Sequence, residues 1–294
     1  MIEIKNLTKR FPPSVIAVNN LTLDINKGVN GLIGENGAGK STLLRLIADV
    51  YKKDEGQITI GGQDSSTDEA RKNVFFLSDD PYYSSNGTAE SNMEFYASLF
   101  DLDKEKFKRM MGKLDLPLDR RVGTFSKGMR RQLFLCIALS MDAEYILLDE
   151  AFDGLDPIVQ DVIKEEIIKN AEDKTFLVSS HNLVSLERLC DNFILLSKGR
   201  CKKEGAGEDL GRSFKKYQII FDIDVNEDDL KRNGIKVISF KKVGSISYVV
   251  VTGEDDERLI KEKFNPRLME PVMIENDEII KLEMIMAKEE GGEE

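Results

Sequence analysis

Residues Gly34-Glu35-Asn36-Gly37-Ala38-Gly39-Lys40-Ser41 stand between a short apolar run at 29–33 and a helical pattern that buries Leu43, Leu44, Leu46 and Ile47. The spacing G-x-x-x-x-G-K-[ST], with a strand before it and a helix after it, leaves few folds open. Glycines at this spacing let the consecutive backbone N–H groups of Asn36, Gly37, Ala38 and Gly39 curl inward around a triphosphate. The following helix points its positive end at the same anion. Lys40 is placed to reach the β- and γ-phosphates, and the Ser41 hydroxyl to ligate Mg²⁺. Thr42 is placed to add a further phosphate hydrogen bond. Such a loop specifies a nucleoside triphosphatase without saying which kind.

A second element narrows the chemistry. The apolar run Tyr145-Ile146-Leu147-Leu148 delivers two carboxylates, Asp149 and Glu150. Asp149 is expected to hold Mg²⁺ directly or through water, and Glu150 to polarise an attacking water as general base. Further strand-like runs lie at 74–77, 175–178 and 192–196, and a helical pattern at 158–170 is opened by Pro157. Strands alternating with helices imply a parallel sheet covered on both faces. Residues 2–7, 21–25 and 57–60 alternate apolar and polar, as strands of an antiparallel platform do. Residues 88–114 read as mostly helical and 132–141 as an apolar helix, which together place a helical subdomain at about 80–140. The fold class is therefore α/β, a P-loop nucleoside triphosphatase with a parallel sheet core and an antiparallel platform.

After Gly205-Ala206-Gly207 the texture changes. Strands are expected at 217–223, 235–241, 246–252 and 272–275, and helices at 227–233 and 254–263. That order is β-α-β-β-α-β, a ferredoxin-like α+β arrangement for residues 206–294. A last helix is expected at about 277–287, ahead of a Gly/Glu tail.

The class is decided by Phe125-Ser126-Lys127-Gly128-Met129-Arg130-Arg131-Gln132, which opens the apolar helix just ahead of the acidic strand. This resembles the signature motif, usually LSGGQ, of ATP-binding cassette (ABC) proteins. Phe replaces Leu, Lys replaces the first Gly and Met replaces Gln, while Ser126 and Gly128 are kept. Lys127 either adds positive charge or caps the turn. The resemblance covers residues 1 to about 205 and extends to three more elements in the family's order. Phe11 stands where the family places an aromatic that stacks on adenine. Gly154-Leu155-Asp156-Pro157 looks like the loop that signals across the dimer. His181, in Ser179-Ser180-His181-Asn182, matches the switch histidine, which holds Glu150 and the water in line. One position departs: the family usually has a Gln after the 74–77 strand as an Mg²⁺ ligand, and here the aligned residue is Asp79, with Asp80 the competing candidate.

The resemblance implies an ATPase that binds ATP and Mg²⁺ between two chains. Lys40 of one subunit and Ser126 and Gly128 of the other face the same nucleotide, in a homodimer or a related heterodimer. It also implies a separate transmembrane permease as partner and a place at the cytoplasmic face of the cell membrane. The SKGM form of the signature and the small C-terminal domain resemble ABC-2-type exporters of peptides, toxins or drugs. A soluble ABC ATPase acting on DNA or ribosomes, and a P-loop kinase or GTPase, are the competing readings. The C-terminal domain reads either as a packing module or as a regulatory one.

Composition excludes other classes. The net charge is −11, and residues 205–294, with 14 Lys/Arg and 21 Asp/Glu, contribute −7 of it. A duplex-binding protein needs a basic face, so no nucleic-acid partner is expected. The three cysteines, Cys136, Cys190 and Cys201, lack zinc or disulfide spacing. The first residues, MIEIKNLTKRF, do not read as a signal peptide, and no run approaches 18 uninterrupted apolar residues.

Overall fold

A computed structural model describes residues 1–181, 186, 189–206, 214–274, 278–279, 281–283 and 285–286. It divides into two compact units, Met1–Glu204 and Gly205–Glu294.

In the first unit the chain runs β1 (Ile2–Phe11), β2 (Val15–Ile25), β3 (Gly28–Ile33), α1 (Lys40–Ile47), β4 (Glu55–Ile60), β5 (Gln63–Asp64), α2 (Asp68–Lys72) and β6 (Val74–Leu77). It continues through α3 (Ala89–Ala97), α4 (Lys104–Lys113), α5 (Lys127–Leu139), β7 (Tyr145–Leu148), α6 (Pro157–Ala171), β8 (Thr175–Ser180), β9 (Asn192–Ser197) and β10 (Arg200–Ala206). Two sheets form. One is antiparallel, ordered β2-β1-β4-β5; the other is ordered β10-β9-β3-β8-β7-β6. Strands β9, β3, β8, β7 and β6 pair in parallel, so their carboxyl ends line one edge.

Burial follows from that layering. Every residue of β7 and β8 is buried, as expected of strands covered on both faces, whereas β4 ends in an alternating buried pattern. Helix α1 shares one core with both sheets: Leu43 and Leu44 pack in the same cluster as Ile2, Ile4 and Leu7 of β1 and Leu147 and Leu177 of β7 and β8. The loop ahead of α1 is thereby fixed to the edge where β7 and β8 end. Asn6 and Asn20 take left-handed φ of 51° and 48° beside the register shifts of the β1–β2 pair, a conformation Asn tolerates better than most residues.

The predicted helical stretch at 88–114 is two helices. Thr88 caps α3 by accepting from Ser91 N, and Asp103 caps α4 by accepting from Lys106 N. A second cap residue inside a helical pattern starts a new helix, because its side chain competes for the backbone N–H. Helix α5 begins at Lys127, earlier than the expected 132, because Ser126 caps it by accepting from Met129 N. The short elements β5 and α2 and the strand β10 carry no strong periodicity in sequence.

The second unit is β11 (Lys215–Ile220), α7 (Glu227–Arg232), β12 (Val237–Val243), β13 (Ile246–Val251), α8 (Asp256–Phe264) and β14 (Leu268–Val272). Its sheet is ordered β12-β13-β11-β14 and all its pairs are antiparallel. Strand β14 lies earlier than the predicted 272–275, with Pro271 on an edge strand, the one strand position that tolerates a missing N–H. Helix α7 carries a full capping box between Asn226 and Asp229. Of the helix expected at 277–287, residues 278–279, 281–283 and 285–286 are described and are helical, while 277, 280, 284 and 287, like Gly207, fall outside the described residues.

Candidate functional site

Gly37 and Gly39 hold φ of 83° and 106°, which side-chain-bearing residues rarely adopt. A Cβ on Gly39 would stand 2.3 Å from the Ala17 carbonyl oxygen, while one on Gly37 would meet nothing within 4 Å. The loop is thus pressed against β2 on one side and open on the other. Lys40, the first residue of α1, is 5% exposed. Its ammonium donates to the carbonyl oxygens of Gly34 at 2.7 Å and Glu35 at 3.2 Å. Its Nζ also lies 3.5 Å from Glu150 Oε1. The Ser41 hydroxyl donates to Asp149 Oδ1 at 3.0 Å.

Asp149 and Glu150 leave the carboxyl end of β7 side by side. Asp149 is 1% exposed, and its Oδ1 also accepts from Ser179 Oγ at 2.7 Å. Its Oδ2 is buried and finds no hydrogen-bond donor among the described residues. An unpaired buried carboxylate oxygen is costly and marks a place where a ligand or cation belongs. Glu150 has a left-handed φ of 48°, and its N–H donates to Ser179 Oγ at 2.9 Å. This turn swings its carboxylate toward Lys40 on one side and His181 on the other. Glu150 Oε2 lies 2.9 Å from His181 Nδ1 and accepts from the His181 N–H at 3.3 Å. A carboxylate can only accept, so Nδ1 carries the proton in this contact.

Lys40, Glu150 and His181 therefore form one continuous polar line, with Ser41 and Asp149 beside it. Among the described residues no three His, Cys, Asp or Glu side chains cluster as a metal-holding set. The Ser41 hydroxyl and the orphaned Asp149 oxygen suit Mg²⁺, which keeps few protein ligands and completes its shell with water and phosphate. The Asp79 carboxylate, 57% exposed, lies 3.5 Å from Arg131 Nη2.

The other sequence-predicted residues occupy helix starts and edges. Ser126 is the N-cap of α5, and a Cβ on Gly128 would lie 3.2 Å from the Gly154 carbonyl oxygen. Lys127 pairs with Asp153 at 2.9 Å, which raises the Lys127 ammonium and holds Asp153 below the usual carboxylate range. Asp156 caps α6 by accepting from Val159 N, with Pro157 opening the helix. Phe11 ends β1 and meets Tyr51 edge-on at 5.5 Å, with Lys9 Nζ 5.4 Å from its ring centre. Asn182 lies outside the described residues.

Three contributors were not foreseen from sequence. Ser179 joins Asp149 to Glu150, and Tyr51 backs Phe11. The third is Arg131, whose guanidinium reaches the carbonyls behind both acids. Burial lowers it, while Asp79, Asp149, Asp153 and Glu150 pull it back up.

The family model described as ABC transporter matches residues 18–153. ABC transporter ATP-binding protein NatA of Bacillus subtilis (strain 168) is 36% identical over 229 residues, covering 72% of this chain and 92% of that protein. The chain belongs to the ABC transporter family. It is an ATPase of that family, and the residues matched by the family model lie in the first unit. The lantibiotic transport ATP-binding protein SrtF of Streptococcus pyogenes is 34% identical over 230 residues, covering 76% of this chain and 99% of that one. A solved structure of an ATP binding subunit of an ABC transporter superposes with a TM-score of 0.65 at 26% identity, covering 72% of this chain and 92% of its own. In this ABC ATPase the glycine-rich loop, Asp149, Glu150 and His181 meet at one edge of the parallel sheet. Among the described residues no helix is long and apolar enough to cross a membrane.

Proposed function

We propose that this ABC ATPase clamps MgATP between two cassettes and uses its hydrolysis to drive a separate membrane permease. The observation that carries the reading is the Lys40–Glu150–His181 line beside the Ser41–Asp149 pair. It supplies a cation for the phosphates, a base for water and a group that orients the base.

Lys40 rests on two carbonyl dipoles, and a triphosphate entering the loop offers it full negative charge instead. Asp149 and Ser41 would hold Mg²⁺, which when bound neutralises charge on the phosphate oxygens. Glu150 takes the proton from the attacking water. His181 fixes the Glu150 carboxylate through Oε2 and keeps it aimed as that charge moves. For Asp79 to join the cation, its half-exposed carboxylate would have to leave Arg131. Phe11, backed by Tyr51, supplies a face on which adenine can stack.

Ser126 and Gly128 open α5 in the same chain that carries the P-loop, and they are assigned to the nucleotide of a second subunit. That assignment is tested by purifying Glu150→Gln with MgATP. The variant is expected to run as a dimer on gel filtration and to return to a monomer when EDTA is added. A variant that stays monomeric at millimolar MgATP would overturn the two-chain site.

His181→Ala is expected to lower kcat by about ten- to a hundredfold while the ATP KM shifts less than about threefold, since the imidazole touches the base. Phosphate release at saturating ATP measures it, and an unchanged kcat would remove His181 from the mechanism. The name of SrtF, together with the SKGM signature, supports an exporter of peptides, toxins or drugs, peripheral at the cytoplasmic face through its permease.

A further inference from the structure

Arg131 lies on the second turn of α5, one turn after the signature residues, and it is 6% exposed. A guanidinium carries five N–H donors, and here all five are used on backbone carbonyls. Nε donates to Ala151 O at 3.3 Å. Nη1 donates to Ser78 O at 3.2 Å and Asp79 O at 3.1 Å. Nη2 donates to Asp149 O at 2.6 Å and to Glu150 O.

The last two acceptors matter most. The Asp149 and Glu150 carbonyls belong to the two peptide planes on either side of the Glu150 Cα. Holding both planes fixes φ and ψ at Glu150, the residue with the left-handed φ of 48°. A bulky residue keeps that conformation only where its surroundings over-determine it. The remaining bonds tie the same guanidinium to the Asp79 loop, and the Asp79 carboxylate lies 3.5 Å away. One buried side chain thus joins the signature helix, the loop after β6 and the backbone of the general base.

The geometry points to Arg131 as a positioning residue for hydrolysis, acting through Glu150 to make the aim of the general base depend on the seating of the signature helix. The inference rests on Glu150 being that base. Because α5 begins at the residues assigned to the partner's nucleotide, a shift of α5 at one ATP moves the base that serves the other. Arg131 is a fixed planar fork, and lysine has one ammonium on a flexible stem. Lysine keeps the charge but cannot hold five carbonyls at once.

The test uses the full chain with Arg131→Lys and Arg131→Met beside Glu150→Gln. Arg131→Lys is expected to keep its ATP Kd within about threefold of the parent while kcat falls about ten- to a hundredfold, the scale of a slightly misplaced catalytic group. If Arg131→Met does not fold, the lysine variant still decides. In the Glu150→Gln background, single-turnover rates are expected to be the same with Arg or Lys at 131, since a residue acting through the base has nothing left to position. A kcat for Arg131→Lys within twofold of the parent overturns the inference. So does a further loss in the Glu150→Gln background, or ATP binding that weakens in step with kcat. Glu150→Gln hydrolysing like the parent would instead sink the reading of Glu150, whatever Arg131 does.

Discussion

Glu150→Gln is expected to lower kcat by about 10²–10⁴-fold, the usual worth of a positioned general base. That corresponds to about 3–5 kcal/mol of barrier. The substitution keeps the shape of the side chain and its ability to accept from His181. It removes the charge that a proton-accepting group needs. ATP binding is expected to strengthen in the same variant. In the parent, Lys40 Nζ lies 3.5 Å from Glu150 Oε1, and both side chains are largely buried, at 5% and 18% exposed. An arriving phosphate competes with that carboxylate for the ammonium. With glutamine at 150 the competition is gone, and affinity is expected to rise by about three- to tenfold, a gain of about 1 kcal/mol. Phosphate release and calorimetric titration with a slowly hydrolysed analogue measure the two effects separately. Hydrolysis within tenfold of the parent would exclude Glu150 as the base.

The same stretch of chain shows what a sequence can and cannot reveal. The P-loop is legible because its chemistry needs glycines at fixed offsets and a lysine at the helix start. Gly39 proves the need, since any Cβ there would strike the Ala17 carbonyl oxygen at 2.3 Å. Asp149 and Glu150 are legible because they end a fully buried apolar strand, where acids are otherwise expensive. His181 is legible through its place after β8. Arg131 is different. Its partners are carbonyls, which every residue carries, so no letter in the sequence marks them. A weak signal did exist: α5 is apolar from Leu133 to Leu139, and Arg131 shares a face with Phe134, Leu135 and Ala138, all buried. An arginine continuing a buried stripe has to find internal partners. Arg130, its neighbour, points elsewhere: it donates to Phe125 O at 2.7 Å and lies over the Tyr83 ring.

The division of the helical stretch predicted at 88–114 into two helices follows a related logic. Periodicity reports which face is buried, and α3 and α4 both bury apolar residues, so the pattern alone reads as continuous. The break is written in one residue, Asp103, whose carboxylate accepts from Lys106 N and whose own N–H donates to Ser140 O. Long-range bonds of that kind are visible only once the fold brings Ser140 alongside.

Asp149→Asn is expected to abolish measurable turnover, with a loss of at least about 10³-fold, while leaving the nucleotide-free protein no less stable than the parent. These two effects share one cause. Asp149 Oδ1 takes donors from Ser41 and Ser179, and asparagine keeps an oxygen for both. Oδ2 has no donor among the described residues, so without a cation the parent holds an incompletely compensated buried charge. Replacing it with a neutral amide exchanges an orphaned charged oxygen for an orphaned neutral N–H₂, the cheaper of the two to bury. The melting temperature without nucleotide is therefore expected to equal or exceed that of the parent. Stabilisation by MgATP over ATP with EDTA is expected in the parent and is expected to vanish in the variant, because the cation loses its charged anchor. Thermal melts in those three conditions, read beside phosphate release, decide the matter. A variant that melts lower without nucleotide yet gains as much from Mg²⁺ as the parent would show that Asp149 is a structural acid and that the cation is held elsewhere.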